Sequence, residues 1–184
     1  MVFNTAILIL VAVLVAWIRG GKLENLVDVK FRFYWIIILA FAVQFMTIFI
    51  DTHYVRMIDL ITYTAVLVVA FLNRKSLGIL LVLIGIVMNY AVMLFNRGRM
   101  PVYIPDAEKI SSSSQIHSLI AGSYGKQIAM SIHTHLNYLG DIFFVGHPYP
   151  IPTLLSAGDL VVAAGVFIFI QSSMLKSKGP QGEV

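Results

Sequence analysis

Four stretches without a single charged side chain run from Val2 to Ile18, Phe33 to Ile50, Leu60 to Leu72 and Ser76 to Phe95, and a fifth, Thr153 to Leu175, is broken only by Asp159. In hydrocarbon every backbone N–H and C=O must be paired within its own segment, so a run of about 20 apolar residues reads as a transmembrane helix. The pattern predicts an all-α integral membrane protein with five transmembrane helices at about 2–18, 33–50, 55–72, 76–95 and 153–175. The third run is short for a bilayer, so its helix is expected to start near Tyr54 and to carry Asp59 in its first turns. Only 12% of the residues are charged and mean hydropathy is +0.87. A soluble domain of this size needs about a quarter of its residues charged, which leaves one membrane domain over 1–184 and no separate soluble one. The absence of cysteine excludes disulfides, thiolate metal ligands and cysteine nucleophiles.

The basic residues divide unevenly between the two sets of connections. One set holds Arg19, Lys22, Lys30, Arg32, Arg74, Lys75, Lys176 and Lys178 against Glu24, Asp28 and Glu183, eight positive against three negative, or +5. The other holds Arg56, Arg97, Arg99, Lys109 and Lys126 against Asp51, Asp59, Asp106, Glu108, Asp141 and Asp159, five against six, or −1. By the positive-inside rule the first set is cytoplasmic, with the N-terminus outside and the C-terminus inside. The first segment is read as a retained helix: Arg19, Gly20, Gly21 and Lys22 follow its apolar run, the reverse of a signal peptide's charge order. The basic balance thus serves topology, and nucleic acid is not an expected partner; the lipid bilayer is, and a membrane-protein complex is possible.

The outer connection 96–152 is too long for a plain loop. Ile116, Leu119, Ile120, Ile128, Ile132, Leu136 and Leu139 recur at three and four, which predicts a helical extracytoplasmic cap of two short amphipathic helices on the outer membrane surface. Pro148, Pro150 and Pro152 make a stiff approach to the last span, and the tail 178–184 is expected to be disordered.

Counted from the cytoplasmic ends at ~1.5 Å per residue, Asn4, Gln44, Asp59, Asn89 and Asp159 fall at one depth, above a nearly apolar floor. A carboxylate at the hydrocarbon edge costs several kcal/mol unless it is paired, protonated or wet, about 2 to 4 kcal/mol on insertion scales. Asp159, and after it Asp59, are therefore the leading site candidates. The floor, lacking a polar relay, argues against a channel or a proton path.

Two segments flank the cap: Asn96-Arg97-Gly98-Arg99-Met100-Pro101-Val102, and Leu139-Gly140-Asp141 followed by Ser156-Ala157-Gly158-Asp159. With the proline-rich stretch between the aspartates, they resemble an uncharacterised family of bacterial multi-pass membrane proteins, a domain of unknown function. Its signatures are Asn-Gly-Gly-x-Met-Pro-Val, Leu-Gly/Ala-Asp and Ser-x-Gly-Asp; Arg97 stands where that pattern has glycine. The resemblance implies a bacterial cytoplasmic (inner) membrane and supplies no reaction. More narrowly, Ser156 to Asp159 with Val161, Val162 and Gly165 is similar to the last span of the lipoprotein signal peptidases. That similarity implies an aspartate-dependent hydrolase in which Asp159 is one catalytic carboxylate and Asp141, or Asp59, the other. Those enzymes have four spans and a Gly-Asn-x-x-Asp-Arg segment absent here.

His117, His133, His135 and His147 with Asp141 carry the donor types of a zinc site, but i, i+2 spacing puts His133 and His135 on different helix faces, and no metal or cofactor is expected. Arg97 and Arg99 suit an outer anionic headgroup or carboxylate, while the favoured reading of Arg99 is an ion pair with Asp141 or Asp159. The expected pocket is Asp159 with Asn96, Arg99, Asp141, Asp59 and Asn89 nearby. Without a complete catalytic set, the sequence favours a non-catalytic membrane subunit or small binding protein over the hydrolase, and a small transporter third.

Overall fold

The computed structural model describes residues 2–47 and 54–176, the side chains from residue 5 onward. Asn4's side chain, the predicted end of the second span at 48–50, Asp51 and the tail 178–184 lie outside the described residues. The apolar runs form helices α1 (Val2–Ile18), α3 (Tyr34–Met46), α4 (Val55–Leu72), α5 (Leu77–Phe95) and α8 (Ala157–Met174); a short α2 (Leu23–Val27) links the first two. α4, α5 and α8 are each long and apolar enough to cross a membrane, and α1 and α3 are shorter apolar helices.

α5 and α8 run antiparallel in close contact because glycines face each other along both. A Cβ on Gly85 would lie 2.5 Å from the Gly158 carbonyl oxygen, and one on Gly158 2.6 Å from that of Gly85. Gly78 and Gly165 repeat the arrangement seven residues along, with hypothetical Cβ atoms 2.5 and 2.6 Å from the Phe169 and Val82 backbone nitrogens. Small residues bring backbones together where lipid supplies no hydrophobic drive between helices, leaving dispersion to hold them.

The far end of α8 packs on α1 through Ala12, Ala16, Ile170 and Met174. Gln171 donates to the Ala12 carbonyl at 2.7 Å and accepts from Arg19 at 2.9 Å, and Lys22 N–H donates to the Met174 carbonyl. Asn73, which caps α4, exchanges hydrogen bonds with the Arg32 backbone. The segments carrying Arg19, Lys22, Arg32, Arg74 and Lys176 thereby meet at one end of the bundle, and residues 96–156 cover the other.

That cover differs from the all-α expectation. α6 (Ile104–Ala107) and α7 (Ser113–Ile120) are its helices, the latter opened by a Ser112–Gln115 capping box. Strands β1 (Met100–Val102), β2 (Gln127–Ala129), β3 (Asp141–Val145) and β4 (Thr153–Ser156) form a four-stranded sheet in the order β2-β1-β3-β4, parallel except for the β3–β4 pair. The two-helix cap is thus corrected to one helical turn, one two-turn helix and a sheet. Ile132, counted in the helical stripe, is 94% exposed, and Leu136 takes a left-handed φ of 55° that ends any helix there. The last helix starts at Ala157 rather than 153, since Thr153–Ser156 pair with β3. Pro101 fits inside β1 because its neighbours make the ladder bonds: Met100 N–H to Lys126 O and Met130 N–H to Val102 O, both 2.9 Å. Val102, Ala107, Ile116 and Leu119 form the cap's own core, and Val92, Met93 and Met100, with Leu60, Tyr63, Leu136 and Leu139, weld it to the bundle.

Candidate functional site

Between cap and bundle lies a layer of polar side chains built on α3, α4, α5, α8 and the sheet. Its two halves meet at Tyr63, which lies beside Asn89 and within electrostatic reach of Asp59, Asp141 and Asp159.

The first half centres on Asp59, in the second turn of α4 and only 2% exposed. Lys126, in the loop before β2, reaches down to it: its Nζ donates to Asp59 Oδ1 at 2.9 Å, Gln44 Oε1 at 3.0 Å and Thr47 Oγ1 at 2.9 Å. Gln44 closes the triangle with its own donation to Asp59 Oδ1 at 2.9 Å. An ammonium has three donors, and all three are used. Its charge and these hydrogen bonds offset part of the cost of burying the carboxylate.

The second half centres on the start of α8. Ser156 caps the helix by accepting from Asp159 N–H at 3.0 Å, and Asp159 Oδ2 accepts from Ser156 N–H at 3.1 Å, a reciprocal capping box in which aspartate takes the place of the usual glutamate. Asn89 bridges in from α5. Its Nδ2 donates to Asp159 Oδ1 at 2.8 Å, and its Oδ1 accepts from Ser156 Oγ at 2.8 Å.

Asp141 opens β3 opposite Ser156 in the ladder, 6% exposed, and its Oδ2 accepts from Gln127 Nε2 at 2.7 Å. Burial first, and the nearby Asp159 charge second, push its carboxyl up to about 7 against the opposing pull of Gln127. The fold therefore brings Asp141 and Asp159 into one neighbourhood, and among the described residues no hydrogen bond joins their carboxylates.

The remaining expected residues take other roles. Asn96 is buried at the end of α5, where its amide donates to the Val92 and His135 carbonyls and its oxygen accepts from His135 N–H, all at 2.8 Å. It pins the 130s loop to the helix. Arg99 pairs with neither Asp141 nor Asp159: Asp141 accepts from Gln127, and Asp159 from Asn89 and Ser156. Asp159 is turned into its own helix cap, and Arg99 lies instead against Gly122 and near Arg56 and Arg97.

Sequence reasoning missed Lys126, Gln127, Thr47 and Tyr63. The available signal was thin: Lys126 is a solitary cation in the Gly122–Met130 stretch, in the same charge set as Asp59.

No curated protein and no solved structure matches the chain. Residues 28–171, which include every residue of the polar layer, match the model of a protein family of unknown function. The chain belongs to that family, DUF5317.

Proposed function

We propose that this chain is a five-span protein of a bacterial cytoplasmic membrane, with its N-terminus outside, that works as a non-catalytic binding protein or membrane subunit presenting its cap to the outer side. The helix directions support the five-span reading. α8 is antiparallel to α5 and shares its C-terminal end with that of α1, and the basic segments gather opposite the cap, as an odd number of spans requires.

The observation that carries the binding reading is the commitment of the aspartates. Asp59 is held by Lys126 and Gln44, Asp159 by Asn89 and its own helix cap, and Asp141 by Gln127. The Asp59–Lys126 contact fastens the cap to a helix, Asp59–Gln44 and Asp159–Asn89 each join two helices, and Asp141–Gln127 ties two strands of the cap together. A layer used in this way is a clamp, and the outer surface above it is what a ligand or partner meets.

One observation favours a second reading, the aspartate hydrolase. A buried carboxyl near 7 beside a second carboxylate is the kind of pair that divides acid and base roles. Purified wild-type protein and Asp141→Asn, assayed on a membrane-anchored peptide, separate the two. The binding reading expects no turnover by the wild type and a folded variant; turnover lost in a folded Asp141→Asn protein establishes the hydrolase instead. For topology, cysteines at Ser112 and Ser177 are expected to react with an impermeant thiol reagent from opposite sides of the membrane, and same-side labelling overturns five spans.

A further inference from the structure

Beside the polar layer, three arginines gather at the outer ends of α4 and α5 with no acid among the described residues to answer them. Arg56 and Arg97 line a pocket of about 290 Å³ together with Tyr54, Met57 and Leu60. Arg99 stands close enough for the charges of both to act on it, and burial together with those two charges holds its guanidinium below the usual arginine range. Its Nε–H is buried and makes no hydrogen bond. A buried donor without a partner costs about 1 to 3 kcal/mol, and gathering like charges adds to that. An anion with several acceptor oxygens in the Arg56–Arg97 pocket offsets the gathered positive charge.

The backbone tells the same story. Arg97 adopts φ 56°, next to Gly98 at φ 79°. The left-handed region disfavours any residue with a Cβ, so an arginine is held at a position where glycine would rest without strain.

The chemistry of the lining narrows the anion. Planar guanidinium forks match the oxygens of a phosphate group in two-point contacts. The rest of the pocket is apolar, and it continues onto the outward stripe of α4, where Met57 and Ile61, one turn apart, are 62% and 68% exposed. We infer that Arg56 and Arg97, with the charge of Arg99 close behind them, bind a phosphate group at the outer ends of α4 and α5, with the Met57–Leu60–Ile61 side taking the hydrocarbon of an anionic phospholipid. This deepens the binding reading, and it uses none of the aspartates on which that reading turns.

The test uses the full-length chain purified in an uncharged detergent and titrated separately with short-chain phosphatidylglycerol, short-chain phosphatidylcholine and inorganic phosphate. Lipid adducts in native mass spectra and the shift of the thermal midpoint are read for each. Phosphatidylglycerol is expected to bind at least about tenfold more tightly than phosphatidylcholine, and Arg56→Gln and Arg97→Gly each to weaken it about tenfold, the loss of one charge-assisted contact. Arg97→Gly without lipid is expected to melt no lower than the wild type, so that its lost affinity is not lost folding. Inorganic phosphate binding at least as tightly as the lipid, through the same arginines, supports the phosphate site and assigns it a soluble ligand; weaker binding assigns it the lipid. Affinities for phosphatidylglycerol and phosphate that are unchanged in both folded variants, or phosphatidylglycerol binding no tighter than phosphatidylcholine with no phosphate binding, overturn the site. Peptide hydrolysis dependent on Asp141 would overturn the binding reading while leaving these affinities where they are.

Discussion

Asn89 donates to Asp159 at 2.8 Å and accepts from Ser156 at the same distance, so one amide on α5 holds both side chains of the capping box that starts α8. Asn89→Ala is expected to leave Asp159 Oδ1 and the Ser156 O–H without their partner while the capping-box bonds remain, and to lower stability by about 1–3 kcal/mol. Chemical unfolding in detergent followed by circular dichroism checks it. A loss below about 0.5 kcal/mol, the size of an ordinary surface change, contradicts the bridge.

Gly158 makes that bridge possible. A Cβ there would lie 2.1 Å from Asn89 Oδ1 and 2.6 Å from the Gly85 carbonyl oxygen, and the second of these is backbone. Gly158→Ala is expected to cost at least about 3 kcal/mol, the upper end for overpacking, because neither helix has room to yield. Gly125→Ala, with nothing within 4 Å of its added methyl, is the matched control and is expected to stay within about 0.5 kcal/mol of wild type. Equal melting of the two variants would mean that the helices separate freely.

The Lys126–Asp59 pair fastens the loop before β2 to the bundle, and its worth is reduced by the partial exposure of the lysine side chain, 36% against 3% for the aspartate. Lys126→Met is expected to destabilise by roughly 1–3 kcal/mol, less than a fully buried pair, and Asp59→Asn in the same chain to recover part of it. A double-mutant cycle measures the coupling. Additive single effects would show that the two charges act separately.

Asp141 makes stability depend on pH. Its carboxyl sits at about 7 in the folded chain against 3.8 for an unperturbed group, so between these values the folded state holds a proton that the unfolded state has lost. Stability is then highest below pH 4 as far as this group is concerned, falls as pH rises, and levels off above 7. Asp141→Asn keeps an acceptor for Gln127 and removes the titration, so it is expected to flatten thermal stability between pH 5 and 8 and to stand above the wild type at pH 8. A wild-type curve that rises with pH over this range and is unchanged in the variant would contradict the assignment.

The helices were legible because a bilayer imposes one simple demand, and charge-free runs answer it; so was the shared depth of Gln44, Asp59, Asn89 and Asp159, which follows from rise per residue. The sheet was hidden for physical reasons. Its strands are three to five residues long, β1 pairs with a strand about 25 residues away through Met100–Gln127, and Pro101 argues locally against a strand. Spacing by four misled at Ile128, Ile132 and Leu136, because periodicity alone does not distinguish a helix from a strand followed by turns. The partners of the aspartates were also out of reach. Lys126 and Asp59 are 67 positions apart, and nothing local points from one to the other. Arg99 looked like the partner of Asp159 because it is the nearest outer cation to a polar motif, but an aspartate three residues after a serine cap finds its donors in its own backbone.

Ser156 is at once the last residue of β4 and the cap of α8, and β1 begins after only residues 96–99 beyond α5, two of which are tied back by Asn96 to His135 and by Gly98 N–H to Met93 O. A strand that continues into a membrane helix has no hinge. The cover therefore cannot lift like a lid, and the facing glycines block a piston stroke of α5 along α8. The motion left to it is a rigid tilt with the helices themselves, so whatever reaches this face arrives sideways through the plane of the membrane or from the water above. Changes in bilayer thickness or lateral pressure that move α5 and α8 therefore move the strands continuous with them.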